Sequence, residues 1–269
     1  MLLVLFRGEA GLSLSYWENK TVLITGASSG IGKGLALQIA SRGGRLGLIA
    51  RREDVLSEIV NEIRAQNGTA IAAAADVRDA NAMKQAAERI RTELGPIDVL
   101  IANAGVGSTD LVAKLDPQVV ADVLNINVLG AVNSVAAVLP EMIERKSGQL
   151  VAIASLAGYR GLPKSAAYCA SKAALSSFFE SMRIDLRHTG VTVSVIYPGF
   201  IKTPLTSGRQ AKMPYLMELD DGVKKIVIAI EKGKKSYAFP WQLATLVRSS
   251  LLMPPSLYDW IAERNSFRE

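Results

Sequence analysis

The chain has 269 residues, of which 49% are hydrophobic and 21% are charged, and its net charge at pH 7 is +6. The hydrophobic fraction excludes a disordered protein, and so mild a positive charge is no signature of nucleic-acid binding, although it suits an anionic ligand. A single cysteine excludes an internal disulfide, and one cysteine with one histidine provides too few ligands for a Cys/His zinc site. We therefore expect no metal and no nucleic-acid partner.

Two apolar segments bear on localisation. The run at residues 1–6 is too short for the core of a signal peptide and has no basic residue before it. The uncharged stretch at residues 123–140 reaches the length of a minimal membrane span, but Asn125, Asn127 and Asn133 would be costly in hydrocarbon. We therefore predict a cytoplasmic protein in which residues 123–140 form a buried helix.

Short apolar runs alternate with helical patterns along the chain. The runs cover residues 21–25, 45–50, 69–75, 99–102, 150–154 and 191–196, and the first three are followed by helical patterns at about 31–42, 53–66 and 80–94. Strands that are apolar throughout and separated by helices are typical of a parallel sheet covered on both faces. Because crossovers are right-handed, we predict one doubly wound, Rossmann-type α/β domain with a mostly parallel sheet and helices on both faces.

A glycine-rich turn follows the first predicted strand and opens the first predicted helix. Glycines permit a tight turn and a close approach of the backbone to a diphosphate, which the helix N-terminus attracts. The alternative is a structural turn without a ligand. The residues that we assign to a dinucleotide site here are Gly26, Ser28, Ser29, Gly30, Ile31 and Gly32.

The same turn also matches a serine hydrolase motif. Residues 26–30 read G-x-S-x-G with Ser28 at the centre, and His188 lies downstream. However, such a serine needs an oxyanion hole from a loop after an earlier strand, and this turn follows the first evident strand. Hydrolysis by Ser28 is therefore the second hypothesis.

The residues after the second run bear on the choice of dinucleotide. A site for NAD(H) normally has an acidic side chain there for the ribose 2′-hydroxyl, whereas this chain has Arg51 and Arg52. An arginine fork pairs with a 2′-phosphate that a carboxylate would repel, so we predict NADP(H); the alternative is that both arginines are solvated. Asp76 and Val77 follow the third run and are expected beside the adenine, although Asp76 could equally cap the next helix.

Tyr168 and Lys172 lie four residues apart in a helical pattern and therefore on one face. A nearby ammonium lowers the pKa of a tyrosine from its reference value of about 10, so that the pair could move a proton near neutral pH. Ser155 precedes Tyr168 by 13 residues and follows an apolar run. The same spacing occurs in Tyr16 and Lys20, which we place at the start of the first strand because no serine precedes them at that distance.

These motifs together resemble the short-chain dehydrogenase/reductase family. The resemblance spans roughly residues 20 to 205, and the set is very specific in this order and spacing. Two positions depart from the family pattern, Ala102 before Asn103 and Ala154 before Ser155, but neither removes a reacting group. The matching elements are residues 25–32, 76–77, 103–105, 127–130, Ser155, the pair Tyr168 and Lys172, and residues 198–203.

The resemblance implies a role for each matching residue. Tyr168 would give a proton to the carbonyl oxygen, Lys172 would bind the nicotinamide ribose and lower the tyrosine pKa, and Ser155 would hydrogen-bond the substrate oxygen. Asn127 would hold a water on a proton relay to Lys172. Further residues that the resemblance assigns to the cofactor are Asp76, Val77, Asn103, Ala104, Gly105, Pro198, Gly199, Ile201 and Thr203, the last two contacting the nicotinamide carboxamide.

The family pattern fades after Thr203. We treat residues 1–269 as one oxidoreductase domain with a core at about 20–205, and residues 206–269 as a substrate cover and an apolar tail. The predicted cover lining is Met213, Tyr215, Leu216 and Met217. A basic cluster follows at Lys224, Lys225, Lys232, Lys234 and Lys235. The aromatic, apolar tail from Tyr237 to Trp260 is interpreted as packing over the active site or as a subunit interface, with peripheral membrane contact as the alternative.

The leading hypothesis is an NADPH-dependent reductase or dehydrogenase that interconverts a carbonyl and a secondary alcohol on a lipophilic or bulky small molecule. A non-catalytic NADP(H)-binding regulator is the third hypothesis, which the presence of Ser155, Tyr168 and Lys172 disfavours. Members of the family usually form homodimers or homotetramers, and residues 123–140 would provide the contact face.

Overall fold

Seven strands form one sheet in the computed structural model, which describes residues 16–108, 112–207 and 213–264. The strands are β1 (Thr21–Thr25), β2 (Arg45–Ala50), β3 (Thr69–Ala74), β4 (Ile97–Ala102), β5 (Gly148–Ile153), β6 (Val191–Pro198) and β7 (Ser236–Phe239). Every pair is parallel, and the order is β3-β2-β1-β4-β5-β6-β7. The carboxyl ends of all seven strands therefore meet at one edge, which we call the carboxyl edge.

Helices cover both faces of this sheet. They are α1 (Gly30–Ala40), α2 (Glu53–Ala65), α3 (Ala80–Leu94), α4 (Pro117–Leu124), α5 (Gly130–Glu144), α6 (Ala166–Asp185), α7 (Leu219–Glu231), α8 (Trp241–Ser250) and α9 (Pro255–Arg264). A π-helical turn at Asn125–Leu129 joins α4 to α5. Short 3₁₀ segments lie at Val112–Lys114 and Leu156–Gly158.

The sheet separates two apolar cores. Leu23, Leu100 and Leu150 point into one core, which α3, α5 and α6 complete, and Ile24 and Ile101 point into the other, which α1, α2 and α7 complete. Side chains alternate between the two faces of a strand, so these central strands must be apolar throughout to fill both cores. The doubly wound fold predicted from the sequence is confirmed.

The six predicted strands are all present, and the seventh was missed. β7 has four residues, of which only Phe239 is buried, so neither its length nor its pattern distinguishes it from the tail. Its backbone nevertheless pairs with β6 from Val195 to Pro198. β7 therefore extends the carboxyl edge and anchors α8 and α9 beside it.

The helix expected at residues 123–140 lies within the continuous helical segment Pro117–Glu144. Of the described residues, this is the one helix long and apolar enough to cross a membrane, and 39% of its most apolar window is buried inside the fold. Asn127 and Ser134 are fully buried and hydrogen-bonded, which fits a core helix. Val119, Leu129 and Ile143 remain exposed, and a homo-oligomer through this face stays a prediction that the mass in solution tests.

Tyr16 and Trp17 lie just before β1, where the second copy of the tyrosine–lysine spacing was placed, and both have a structural role. The Tyr16 hydroxyl donates to Gln149 Oε1, and Trp17 is fully buried with its indole N–H donating to Glu231 Oε1 at 2.6 Å. These contacts tie the segment before β1 to β5 and α7. Most of the stabilisation comes from the apolar area of Trp17.

Replacing Trp17 by alanine should lower the free energy of unfolding by about 3–5 kcal/mol, because it leaves a large cavity and removes the hydrogen bond to Glu231, whose ion pair with Arg42 remains. Denaturant titration followed by circular dichroism measures this change. The matched control is Trp241→Ala, since Trp241 is 71% exposed and should shift the free energy by less than about 1 kcal/mol. Equal losses in both variants would contradict the assigned role of Trp17.

Candidate active site

The predicted site residues converge at the carboxyl edge. The glycine turn follows β1, Arg51 follows β2, Asp76 follows β3 and Asn103 follows β4. Together with Tyr168 and Lys172 from α6 and Thr203 from the loop after β6, these segments line one elongated cleft of about 320 Å³. Ligands of open α/β sheets bind at this edge, where strand order reverses between β1 and β4.

The glycine turn lies against the loop after β4. Gly26 has φ +65, and a Cβ there would lie 2.8 Å from the Ala104 Cα. The Asn103 side chain donates to the Thr25 carbonyl at 2.9 Å, while the Thr25 hydroxyl accepts from the backbone of Asn103 and Ala104 at 3.1 Å. Asn103 therefore holds the glycine turn in shape, a role that the sequence analysis did not assign to it.

Two arginines border the far end of the cleft. Both Arg51 and Arg52 are exposed and line it, and Arg52 Nη2 donates to the Ser28 hydroxyl at 3.0 Å. Asp76 forms an ion pair with Arg78 at 2.7 Å, and this hydrogen bond with Arg78 holds the pKa of the Asp76 carboxyl below its usual value. One interpretation of the sequence had Asp76 capping α3, and this interpretation was wrong.

The cap of α3 is Asp79, whose carboxylate accepts from the backbone N–H groups of Asn81 and Ala82. Asp79 was thus the better candidate for the N-cap, because it directly precedes Ala80, the first residue of the helix. Asp76 and Val77 are left to line the cleft, where the sequence predicted them.

Lys172 is the most deeply buried cation of the site, with a relative exposure of 5%. Its ammonium donates to the carbonyl of Ile153, the last residue of β5, at 2.9 Å. Burial lowers the pKa of Lys172 from 10.5 to about 8. A Cβ on Gly105 would lie 3.5 Å from Nζ, so Gly105 leaves the ammonium accessible from the cleft.

Asn127 lies in the π-helical turn and is fully buried. Its amide N–H groups donate to the Val106 carbonyl and the Ser171 hydroxyl at 2.9 Å, and its carbonyl accepts from the Val106 N–H at 2.8 Å. The side chain thus fixes the loop after β4 against α6 beside Lys172. Such turns are frequent at functional sites.

Tyr168 joins the cleft to a second cavity of about 540 Å³. Ser155 lines this cavity two residues after β5, and its hydroxyl accepts from the Ala157 N–H at 3.1 Å. Tyr168 is half-buried, and Lys172 Nζ lies 5.9 Å from the centroid of its ring. Tyr168 therefore shares the second cavity with Ser155 and the cleft with Lys172, and the catalytic role of these three residues stays a prediction.

The segment from Pro198 to Thr203 crosses between the two cavities. The Gly199 N–H donates to the Phe239 carbonyl at 2.7 Å, and Ile201 forms a bridge with Met217. The Ile201 carbonyl accepts from the Thr206 hydroxyl at 2.7 Å, which leaves Thr203 against Gly30 at the mouth of the cleft. The segment is therefore fixed by its hydrogen bond to β7 and by the bridge between Ile201 and Met217.

The prediction for the substrate cover was wrong in its residues. Tyr215 is 53% exposed, Leu216 faces solvent and Met217 packs against the core, while Pro214 lines the second cavity. The cavity wall comes instead from α8 and α9, so the tail packs over the active site, as one interpretation held. These two helices were not predicted, and the missed β7 concealed where they attach.

Three of the five lysines of the basic cluster lie away from the start of the apolar tail. Lys232, Lys234 and Lys235 lie between the end of α7 and the start of β7, hence at the amino edge of the sheet, whereas α8 follows β7 at the carboxyl edge. The membrane alternative combined these two features. Lys232, Lys234 and Lys235 lie at the opposite edge of the sheet from α8, and membrane contact of the tail stays a prediction.

The serine hydrolase hypothesis fails on the same topology. His188 lies exposed just before β6, at the amino edge, whereas Ser28 follows β1 at the carboxyl edge. The chain has no other histidine to serve as the base. Cys169, beside Tyr168, is buried as expected for a packed residue.

Comparison with known proteins agrees with this geometry. The family model for short chain dehydrogenases matches residues 20–214. An uncharacterized oxidoreductase of Myxococcus xanthus is 45% identical over 245 residues, which cover 91% of this chain and 97% of the relative. A ketoacyl reductase of Nostoc is 35% identical over 218 residues, covering 81% of this chain and 76% of the relative.

Solved structures show the same fold. A short chain dehydrogenase/reductase from Burkholderia phymatum in complex with NAD has a TM-score of 0.80 at 25% identity, covering 89% of this chain and 97% of that one. A metagenomic short-chain oxidoreductase in complex with NADP has a TM-score of 0.71 at 30% identity, covering 83% and 96%. The chain belongs to the short-chain dehydrogenase family. It is an oxidoreductase that uses a nicotinamide cofactor to interconvert alcohols and carbonyl compounds.

The buried Lys172 should make stability depend on pH. Its folded pKa of about 8 lies below the unfolded value of 10.5, so the unfolded chain binds more protons between these values and stability rises with pH there. The free energy of unfolding of the wild type, relative to Lys172→Met, should increase by about 2.5 kcal/mol between pH 7 and pH 10. Denaturant titrations at both pH values measure it.

The exposed Lys84→Met variant is the matched control and should show no such change relative to the wild type. A Lys172→Met difference that stays constant between pH 7 and pH 10 would mean that Lys172 is not a buried, depressed ammonium in the folded protein.

Proposed function

We propose that the protein is an NADPH-dependent carbonyl reductase or alcohol dehydrogenase acting on a lipophilic or bulky substrate. The observation that carries the proposal is the position of Tyr168, which lines both the cleft at the glycine turn and the apolar cavity beyond Ser155. A proton donor at the junction of a cofactor site and a substrate site suits transfer between the two ligands.

The cleft fits a dinucleotide. Gly26 and Gly30 have φ values of +65 and +53, which leave the backbone uncovered at the N-terminus of α1, and the cleft runs from the arginines to Tyr168. We assign the diphosphate to the glycine turn and the nicotinamide end to Lys172 and Thr203. When bound, the cofactor supplies or accepts the hydride, and the protein supplies orientation and a proton.

The reaction requires little more from the protein than three side chains. Ser155 Oγ would hydrogen-bond the substrate oxygen, and the Tyr168 hydroxyl would donate its proton to the same oxygen during reduction. Lys172, held by the Ile153 carbonyl, would bind the ribose and stabilise the phenolate that remains. Asn127 would keep Val106 and Ser171 in place around Lys172, and a relay water at Asn127 stays a prediction.

Preference for NADPH rests on Arg51 and Arg52. Both lie at the end of the cleft that receives the adenosine ribose when the diphosphate lies on the glycine turn, and an arginine fork pairs with a 2′-phosphate. Arg52 is already oriented toward the turn by its hydrogen bond with Ser28. Asp76 is neutralised by Arg78, which reduces the repulsion of a phosphate at this end.

A lipophilic substrate is supported by the cavity beyond Ser155. Its walls include Leu156, Phe200, Leu243 and Val247, and α8 and α9 close it from above. Burial of apolar substrate surface here contributes roughly 25 cal/mol per Å². A non-catalytic NADP(H)-binding regulator, the remaining alternative, would not need this cavity beside an intact set of hydroxyl and ammonium groups.

Tyr168→Phe should reduce turnover of a ketone by about 10²–10⁴-fold, since it removes the proton donor and leaves the ring. Tryptophan or NADPH fluorescence titration should show a cofactor dissociation constant within about threefold of the wild type. The exposed Tyr215→Phe is the control and should retain full activity. Wild-type turnover in Tyr168→Phe would reject the mechanism.

Arg51→Asp should shift cofactor preference toward NADH by about tenfold or more in kcat/KM, because a carboxylate repels the 2′-phosphate. Steady-state rates with NADPH and NADH on one ketone measure the ratio. Arg89→Asp, on the outer face of α3 away from the cleft, carries the same charge change and should leave the ratio unaltered. An unchanged ratio in Arg51→Asp would remove this residue from phosphate recognition.

A further inference from the structure

The apolar cavity contains one cationic side chain that the proposed chemistry does not use. Of the described residues that line it, Arg160 is the one with a charge, and it is half-buried. Its surroundings are aliphatic and aromatic, so an unpaired guanidinium is costly there. A residue of this kind in a substrate cavity requires a partner.

The protein itself offers Arg160 only a partial partner. The two terminal nitrogens reach the Met253 carbonyl at 3.5 and 3.4 Å, both at the limit of a hydrogen bond. The ion pairs among the described residues do not include Arg160. The cation is therefore positioned but not neutralised by this part of the chain.

The orientation of Arg160 is set by stacking. Its guanidinium carbon lies 3.7 Å from the centroid of the Tyr258 ring on α9, and the Tyr258 hydroxyl donates to the Gly161 carbonyl. Stacking occupies a face of the guanidinium and leaves its N–H groups in the plane, where they can bind a carboxylate through two parallel hydrogen bonds. Tyr258 lines the same cavity, so the fork is preorganised at its wall.

We infer that Arg160 recognises an anionic group on the substrate, which makes the preferred substrate an amphipathic oxo acid. Its carbonyl would lie at Ser155 and Tyr168, its apolar body along Leu156 and Val247, and its carboxylate at Arg160. This inference rests on the proposed function for the position of the carbonyl. A neutral ketone would contact the same apolar walls but would leave the guanidinium of Arg160 without a counter-charge.

Binding measurements test this recognition without requiring turnover. Decanoate and decanol, which share chain length and differ in charge, are titrated into NADP-saturated protein by calorimetry. Decanoate should bind the wild type at least about tenfold more tightly than decanol. Arg160→Gln should abolish this difference in affinity by weakening the binding of decanoate. Arg160→Lys, which keeps a positive charge, should retain part of the difference. Arg248→Gln on α8 is the control: its arginine donates to the Tyr159 hydroxyl and should leave the difference intact.

Turnover provides the second readout. An oxodecanoate should be reduced with kcat/KM about tenfold or more above that of its methyl ester, and Arg160→Gln should lower the value for the acid while leaving the ester within about threefold. A loss of equal size for acid and ester would show that Arg160 only holds α9 in place. That result would overturn the inference, as would equal wild-type binding of decanoate and decanol.

The two proposals fail in different ways. If neither ketone is turned over but decanoate binding still depends on Arg160, the proposed reaction is wrong and recognition of the anion stands. If ketones are reduced without regard to charge, the reaction stands and the role of Arg160 is wrong. Should Arg160→Gln not fold, the wild-type comparison of acid with alcohol decides alone.

Discussion

The site depends on one hydrogen bond from a buried ammonium to the end of a strand. Lys172 donates to the carbonyl of Ile153, and this bond fixes α6 against β5 at the carboxyl edge. Ser155 follows Ile153 by two residues and Tyr168 precedes Lys172 by one helical turn, so both hydroxyls are positioned by the same contact. Without it, the two groups would belong to independent elements, a loop and a helix.

The cation at this point is costly, and the surroundings show how the fold tolerates it. Among the described residues its ammonium has one hydrogen-bond acceptor, the Ile153 carbonyl, and its desolvation lowers its pKa to about 8. Gly105 leaves space above it, and Asn127 in the π-helical turn holds the adjacent loop. On the proposed function, a bound ribose would supply further acceptors, so that part of the cost of burying Lys172 would be recovered when the cofactor binds.

Two cavities lie at the carboxyl edge of the sheet, and largely different residues line each of them. The glycine turn, the arginines and Lys172 line the cleft, whereas Ser155, Arg160 and the two C-terminal helices line the apolar cavity. Tyr168, Ile31 and Thr203 line both. The first group comes from the part of the chain that the family model matches, and α8 and α9 lie beyond it. The lining of the cleft thus comes from the matched part of the chain, whereas the lining of the apolar cavity combines that part, which contributes Ser155 and Arg160, with α8 and α9.

The sequence predicts the core of this molecule better than its tail. Apolar strands must fill two cores at once, so their pattern is strong, and the glycine turn and the tyrosine–lysine spacing lie on elements with clear boundaries. β7 has four residues and only Phe239 buried, which gives no pattern to detect. The lining by α8 and α9 depends on where β7 places them. Arg160 did offer a signal, as the one charge between Leu150 and Pro163.

Asp76 illustrates a different limit. An aspartate near a helix start caps the helix only if the next residues are already helical, and here Asp79, not Asp76, meets that condition. Pairing of Asp76 with Arg78 could be suggested by their spacing, but an ion pair two residues apart needs a loop geometry that the sequence does not specify. Here it is the local loop geometry, rather than the residue type, that the sequence does not specify.

The most direct test of the central claim is a crystal structure of the protein with oxidised NADP and a ketone. The oxidised cofactor has no hydride to transfer, so this complex does not react. We predict that the ketone oxygen lies within hydrogen-bond distance of both Ser155 Oγ and the Tyr168 hydroxyl, with Lys172 Nζ contacting the nicotinamide ribose. A ketone bound elsewhere, or a ribose that leaves Lys172 bonded to Ile153 alone, would contradict the account.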